Sequence, residues 1–210
     1  MQLPLLHRGG RPKPSDARSG RVVVVIHCVL NQNARDPGAA LHHGFSERIL
    51  GLLLQHDAGL FQMPCPETAC LGLQRSRPRG AGIRQMLESP WGRRCCRSLA
   101  GAVADQLEEH ARSGHDVLAV VGGDRESPGC AVHVAGEDSA HRGRLAEASG
   151  VFMKALEVEL DLRGLRLPFL PMRESIADAY EEDLAALGGL LSGRRRKGRV
   201  PGGFEMESIA

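Results

Sequence analysis

The sequence predicts a single α/β domain with a mostly parallel sheet flanked by helices, and three observations predict it. Short apolar runs alternate with longer stretches of helical periodicity, strand then helix, four times over. The first run, Val22-Val23-Val24-Val25-Ile26, is uninterrupted and β-branched, which suits a strand buried on both faces. Three of the six cysteines, Cys28, Cys65 and Cys130, fall where strands are expected to end. In an open parallel sheet the carboxyl ends of the strands form one rim, where ligands bind. The expected site is therefore on that rim.

Taken in order, residues 1 to 19 hold Gly, Pro, Arg, Lys and Ser without periodicity and read as a flexible tail. The first strand is expected from 21 to about 30, then a polar turn, Asn31-Gln32-Asn33-Ala34-Arg35-Asp36-Pro37-Gly38. Between 41 and 56, Phe45, Ile49, Leu52 and Leu53 fit one helical face, and Asp57-Ala58-Gly59 ends it. A short second strand covers about 60 to 63. From 65 to about 89 the chain reads as a long irregular stretch, punctuated by Pro66, Gly72, Pro78, Gly80 and Gly82. Loops of that length in a compact domain are usually functional or disordered.

Ser89-Pro90-Trp91 is a helix start, with Ser89 as N-cap and Pro90 at the first position. That helix runs to 112, with Cys96, Leu99, Val103 and Leu107 on one face. A third strand, 116 to 121, ends in Gly122-Gly123, and a loop to about 150 carries Cys130, His133 and His141. A helix at 151–162, a possible strand at 165–170 and a helix at 176–191 complete the domain. The domain spans 20–192, and 193–210, with Arg194-Arg195-Arg196-Lys197, is a basic tail. No internal repeat is present.

Composition narrows the function. At 210 residues there is material for one substantial core, and with aromatics at 3% it must be aliphatic. A net charge of +2 is too small to imply stable nucleic-acid binding. No apolar segment approaches the roughly 20 residues of a membrane span, and the N-terminus lacks the pattern of a signal peptide. A cytoplasmic protein is expected. Disulfides are uncommon in that compartment, so thiols there are metal ligands, catalytic groups or buried hydrophobes.

Each candidate has a plainer reading beside the functional one. Cys28, Cys65 and Cys130 adjoin turn-forming residues rather than lying mid-strand, which favours a shared site over three small core residues. Thiolate sulfur suits iron–sulfur clusters and zinc. Glu67, two residues from Cys65, is a proton acceptor or a loop carboxylate paired with a nearby arginine. Ser127 is a site hydroxyl or a turn-forming Ser-Pro. Cys96 reads as core, Cys95 as its helix neighbour, and Cys70 as a spare ligand or resolving thiol.

His27 abuts Cys28, but strand alternation turns it to the opposite face, as a buried hydrogen-bonded histidine. His42, His43 and His133 read as surface groups. Arg75, Arg77 and Arg79 form a solvated loop or meet a nucleotide phosphate. Gly122-Gly123 lacks the rest of any phosphate-loop pattern.

Three segments together resemble the thiouracil desulfurase (desulfidase) family, formerly a domain of unknown function. They are His27-Cys28-Val29-Leu30-Asn31-Gln32-Asn33-Ala34-Arg35, Met63-Pro64-Cys65-Pro66-Glu67 and Glu126-Ser127-Pro128-Gly129-Cys130. Leu71-Gly72-Leu73-Gln74-Arg75 and Gly150-Val151-Phe152 add to the likeness, which covers about 21 to 172. The resemblance implies a 4Fe–4S cluster held by Cys28, Cys65 and Cys130, with one iron free to bind the sulfur of a thiolated pyrimidine. Water then replaces that sulfur on the ring. The family's acidic and serine positions map to Glu67 and Ser127. Two departures bear on substrate fit: Thr68-Ala69-Cys70-Leu71-Gly72-Leu73 replaces a Gly-rich stretch, and Asp124-Arg125-Glu126 and Ala131 replace Asp-Gly and Gly.

The expected function is thus an iron–sulfur-dependent desulfidase acting on 2-thiouracil, 4-thiouridine or their nucleotides, in salvage or detoxification of thio-bases. One alternative is a non-catalytic zinc or iron–sulfur protein using the same cysteines, its fourth position filled by His27, His133 or Cys70. Another is a metal-free cysteine hydrolase, for which no Cys–His pair is recognisable locally.

Overall fold

A computed structural model describes residues 16–134 and 144–193. Most of the two expected tails, and His141, lie outside the described residues. Four parallel strands, β1 (Arg21–Val25), β2 (Gly59–Gln62), β3 (Asp116–Val121) and β4 (Phe169–Leu170), form one sheet in the order β2-β1-β3-β4. All five residues of β1 and the last five of β3 are buried, as expected for the central pair of a covered parallel sheet.

Between β1 and β2 runs α1 (Glu47–Gln55). The β2–β3 connection carries α2 (Pro66–Leu71), α3 (Ile83–Glu88) and α4 (Pro90–Arg112). Helix α5 (Val151–Leu162) precedes β4 and α6 (Ala177–Gly193) follows it. Helix α4 packs on α5, and α1 on α6. Right-handed crossovers place the two pairs on opposite faces of the sheet.

Local chemistry sets the helix ends. Ser89 caps α4 by accepting a hydrogen bond from the Gly92 amide at 3.1 Å, with Pro90 in the first turn. The buried face of α4 is Cys96, Ala100, Val103, Ala104 and Leu107, spaced for a single stripe. Facing it, α5 buries Phe152, Met153, Leu156 and Leu160, and all these residues belong to one aliphatic core. Arg21 is buried at the far end of β1, where its guanidinium donates to the carbonyls of His56 and Leu191 and so ties β1 to α1 and α6.

Several expectations need correction. The first strand ends at Val25, and His27–Val29 forms a 3-10 turn, so strand alternation does not govern His27 and Cys28. Helix α1 begins only at Glu47, leaving Phe45 46% exposed in the loop before it. The stretch from 65 to 89 is not irregular: it holds α2 and α3, each of six residues and too short for a periodic signal to show. The fourth strand shrinks to Phe169–Leu170.

Cys96 is fully buried in this core, and burial alone pushes its thiol up to about 11 from an ordinary 9.0. The unfolded chain therefore releases this proton first as pH rises. The stability linked to it is complete below about pH 9 and is lost progressively toward pH 11. Urea unfolding in reducing buffer should show a smaller loss of stability between pH 9 and 11 for Cys96→Ala than for wild type. An unchanged slope would disprove the linkage.

Candidate functional site

The rim at the carboxyl ends of β1, β2 and β3 carries all three predicted cysteines. Cys28 lies in the 3-10 turn that follows β1. Cys65 comes two residues after Met63, whose amide donates to the Val25 carbonyl and extends the β1–β2 ladder. Cys130 is fixed to the end of β3 because its carbonyl accepts from the Gly123 amide at 2.7 Å. All three are free thiols. They are electrostatic neighbours: charge on Cys65 raises the Cys28 pKa, and charge on Cys28 or Cys65 raises that of Cys130.

Each thiol has its own polar companion. The Arg35 guanidinium stands beside Cys28. The Arg75 Nη2 lies 3.8 Å from the Cys65 sulfur, which also accepts the Thr68 amide and so caps α2. Ser127 Oγ is 3.0 Å from the Cys130 sulfur. Burial pushes the Cys28 thiol up to about 11, although Arg35 pulls it down. Burial likewise holds Cys130 well above its ordinary value, with Cys28 adding to the rise and the Ser127 hydrogen bond opposing it. The metal-free protein therefore holds Cys28 and Cys130 as neutral thiols at pH 7, and any metal loading must displace their protons.

Glu67 and Ser127 belong to the same cluster. Glu67 is buried in the first turn of α2, where one oxygen accepts from Ser127 Oγ at 3.4 Å and the other from Arg75 Nε at 3.2 Å. Ser127 thus touches both Glu67 and Cys130, which combines its turn-forming and site readings. The pairing of Glu67 with an arginine is the plainer alternative anticipated from sequence, and it occurs inside the site.

Arg75 corrects a further expectation. It is 2% exposed and so neither lines a solvated loop nor offers its charge to a phosphate. It also donates to the carbonyls of Ala34 and Leu73, while Arg77 and Arg79 stay at the surface. Nor do Gly122 and Gly123 cradle a phosphate, since their amides donate to the carbonyls of Leu170 and Cys130.

Two features escaped the sequence. Glu174, in the loop after β4, has a side chain only 3% exposed; it pairs with Arg35, accepts from Ser46 Oγ and lies 3.4 Å from His42 Nε2. Nothing local in the sequence announces it beyond its place at the end of a strand. Burial opposes the Arg35 charge, but Cys28 and Glu174 outweigh it and hold the Arg35 pKa above its usual value. Second, Cys70 and Cys95 are joined by a disulfide between α2 and α4, with Cα atoms 6.0 Å apart. Neither the spare-ligand reading of Cys70 nor the description of Cys95 as a simple neighbour of Cys96 survives this.

The candidate histidines stand apart in their bonding. His27 Nδ1 meets Gln62 Nε2 at 3.0 Å, His133 Nε2 lies 3.1 Å from the Arg125 carbonyl, and His43 is exposed. Among the described residues no group of three or more His, Cys, Asp or Glu is arranged to hold a metal ion. Thiolate sulfur is the ligand type that iron–sulfur clusters take, and Cys28, Cys65 and Cys130 are the free thiols of the rim that would supply it.

Close packing holds the rim. A Cβ on Gly123 would stand 2.6 Å from the Cys130 sulfur, and one on Gly150 would collide with the backbone of Gly129 and Cys130. Both glycines are required because Cys130 is pressed between the end of β3 and the start of α5.

No family model matches the chain. Over 100 residues, 48% of this chain, it is 25% identical to "Uncharacterized protein MJ0003" of Methanocaldococcus jannaschii. The match spans 62% of that protein's length. No solved structure matches. No helix among the described residues is long and apolar enough to cross a membrane.

Removing Arg75 leaves Glu67 as a buried charge without its cation, which costs about 3 kcal/mol or more. Arg75→Met should lower the unfolding free energy by that order, and Arg77→Ala by less than about 0.5 kcal/mol. Equal urea midpoints for the two variants would show that the Arg75 fork does not hold the site.

Proposed function

We propose that this protein is a 4Fe–4S-dependent desulfidase that exchanges the sulfur of a thiolated pyrimidine for oxygen, with Cys28, Cys65 and Cys130 as the cluster ligands. The observation that supports it most is the chain of contacts at the rim that runs from Cys65 through Arg75, Glu67 and Ser127 to Cys130, with Cys28 an electrostatic neighbour. When bound, such a cluster supplies an iron with an open position, a Lewis acid toward the substrate's sulfur.

The chain's own residues provide the rest. Each oxygen of Glu67 accepts one hydrogen bond and keeps a lone pair, so the carboxylate can take a proton from an attacking water while Arg75 and Ser127 hold its orientation. Water adds at the thiocarbonyl carbon, the C–S bond breaks, and the products are the oxo base and sulfide. Ser127, between Glu67 and Cys130, orients the carboxylate or the ring.

The zinc and redox-sensing reading keeps the same three thiols but leaves the Glu67 carboxylate beside them with a structural role alone, as the partner of Arg75. The metal-free hydrolase reading has less support, because the companions of the thiols are arginines and a serine rather than a histidine base.

After anaerobic reconstitution, wild type should hold about four irons and four acid-labile sulfides per chain, and Cys28→Ala, Cys65→Ala and Cys130→Ala should each lose them. Glu67→Gln should keep the iron and release sulfide from 2-thiouracil at least about a hundredfold more slowly. Iron content indifferent to the three cysteines would end this reading.

A further inference from the structure

The Cys70–Cys95 disulfide joins two elements that bear differently on the site. Helix α2 has six residues, too few to be stable alone. Its first turn supplies Glu67 and its N-cap is Cys65; its last turn supplies Cys70. Just beyond, the chain leaves through Gly72 at a φ of +76°, and Gly72, Leu73 and Gln74 are exposed. The N-terminal end of α2 is thus held by the Arg75 fork and the C-terminal end by the bond to α4, a helix of 23 residues rooted in the core.

The bond is also open to exchange. Cys95 is partly buried and Cys70 only 7% exposed, so an incoming thiolate approaches the bond from the Cys95 side. Cys96, next in sequence, is wholly buried and does not compete.

We propose that Cys70 and Cys95 form a reversible thiol–disulfide site, reactive toward small-molecule thiols and disulfides, whose state sets how firmly α2 presents Cys65 and Glu67. On oxidation the two thiols give two electrons and two protons to a small-molecule disulfide. Its S–S bond breaks into two thiols as the protein bond forms. Reduction begins with thiolate attack on Cys95, leaves a mixed disulfide there and frees Cys70; a second thiol then releases Cys95. With the bond closed, α2 is fixed at both ends; with it open, only the fork and packing hold it. The effect on cluster loading rests on the desulfidase reading, whereas the bond and its mechanical effect do not.

The full-length protein is equilibrated anaerobically in mixtures of reduced and oxidised glutathione, and the bond is located by alkylation and fragment mapping. Hydrogen exchange is then followed at the Ala69 and Gly72 amides, which close α2 onto the carbonyls of Cys65 and Thr68, with α5 as internal control. Trp91, the single tryptophan, lies one turn before Cys95 on α4 and should brighten when the quenching disulfide opens.

The expected result is a reversible transition in which the bonded form protects the α2 amides at least about tenfold more. Cys95→Ser should match the reduced form in every buffer. Thiols at 70 and 95 that stay free in oxidised glutathione, or equal α2 exchange in both states, would overturn the proposal. If exchange changes but neither form takes up iron, the disulfide site stands and the desulfidase reading falls.

Discussion

A single buried cation organises the rim. The Arg75 guanidinium reaches Glu67, the Cys65 sulfur and the carbonyls of Ala34 and Leu73, so one planar group spans the turn after β1, the cap of α2 and the chain beyond it. Only arginine has enough donors, in a fixed fork, to serve so many acceptors at once. Burying that charge is unfavourable unless the pairing is good. A carboxylate is therefore drawn into the same apolar surroundings, and it comes from Glu67, two residues after one of the thiols. Placement of the acid and of the Cys65 thiol are consequences of one electrostatic requirement.

A second cation repeats the arrangement on the opposite side. Arg35 stands by Cys28 and is neutralised by Glu174, which Ser46 also holds. Each arginine offsets its own carboxylate, Arg75 that of Glu67 and Arg35 that of Glu174, and Arg35 also opposes the rise of the Cys28 pKa. Without metal, burial keeps Cys28 and Cys130 protonated. Arg35 beside Cys28 and Arg75 beside Cys65 sit where negative charge on those sulfurs is accommodated.

Much of this was legible in the chain. The run of valines before Cys28, the glycines after Val121 and the cap at Ser89 gave the sheet and the long helix, because burial and capping act through neighbours in sequence. The three rim cysteines were legible by their position next to strand ends. What stayed hidden depends on contacts across the fold. Nothing nearby distinguishes Arg75 from Arg77 and Arg79, yet one is buried and two are not. Glu174 meets Arg35 across 139 positions, and Cys70 meets Cys95 across 25. Helices α2 and α3 escaped notice because six residues give too little periodicity.

The spacing of the rim residues bears on how the protein is made. Cys28, Cys65 and Cys130 come from three segments, and Glu174 from a fourth near the end of the domain. They meet only after β1 has paired with both β2 and β3, contacts of high sequence separation that a parallel sheet forms slowly. A nascent chain exposes its thiols singly, before the fold brings Glu174 to Arg35 and Ser127 to Glu67. Under the proposed function, insertion of the cluster is therefore a late event in biogenesis, a maturation step that acts on a finished scaffold rather than a nucleus around which the chain condenses.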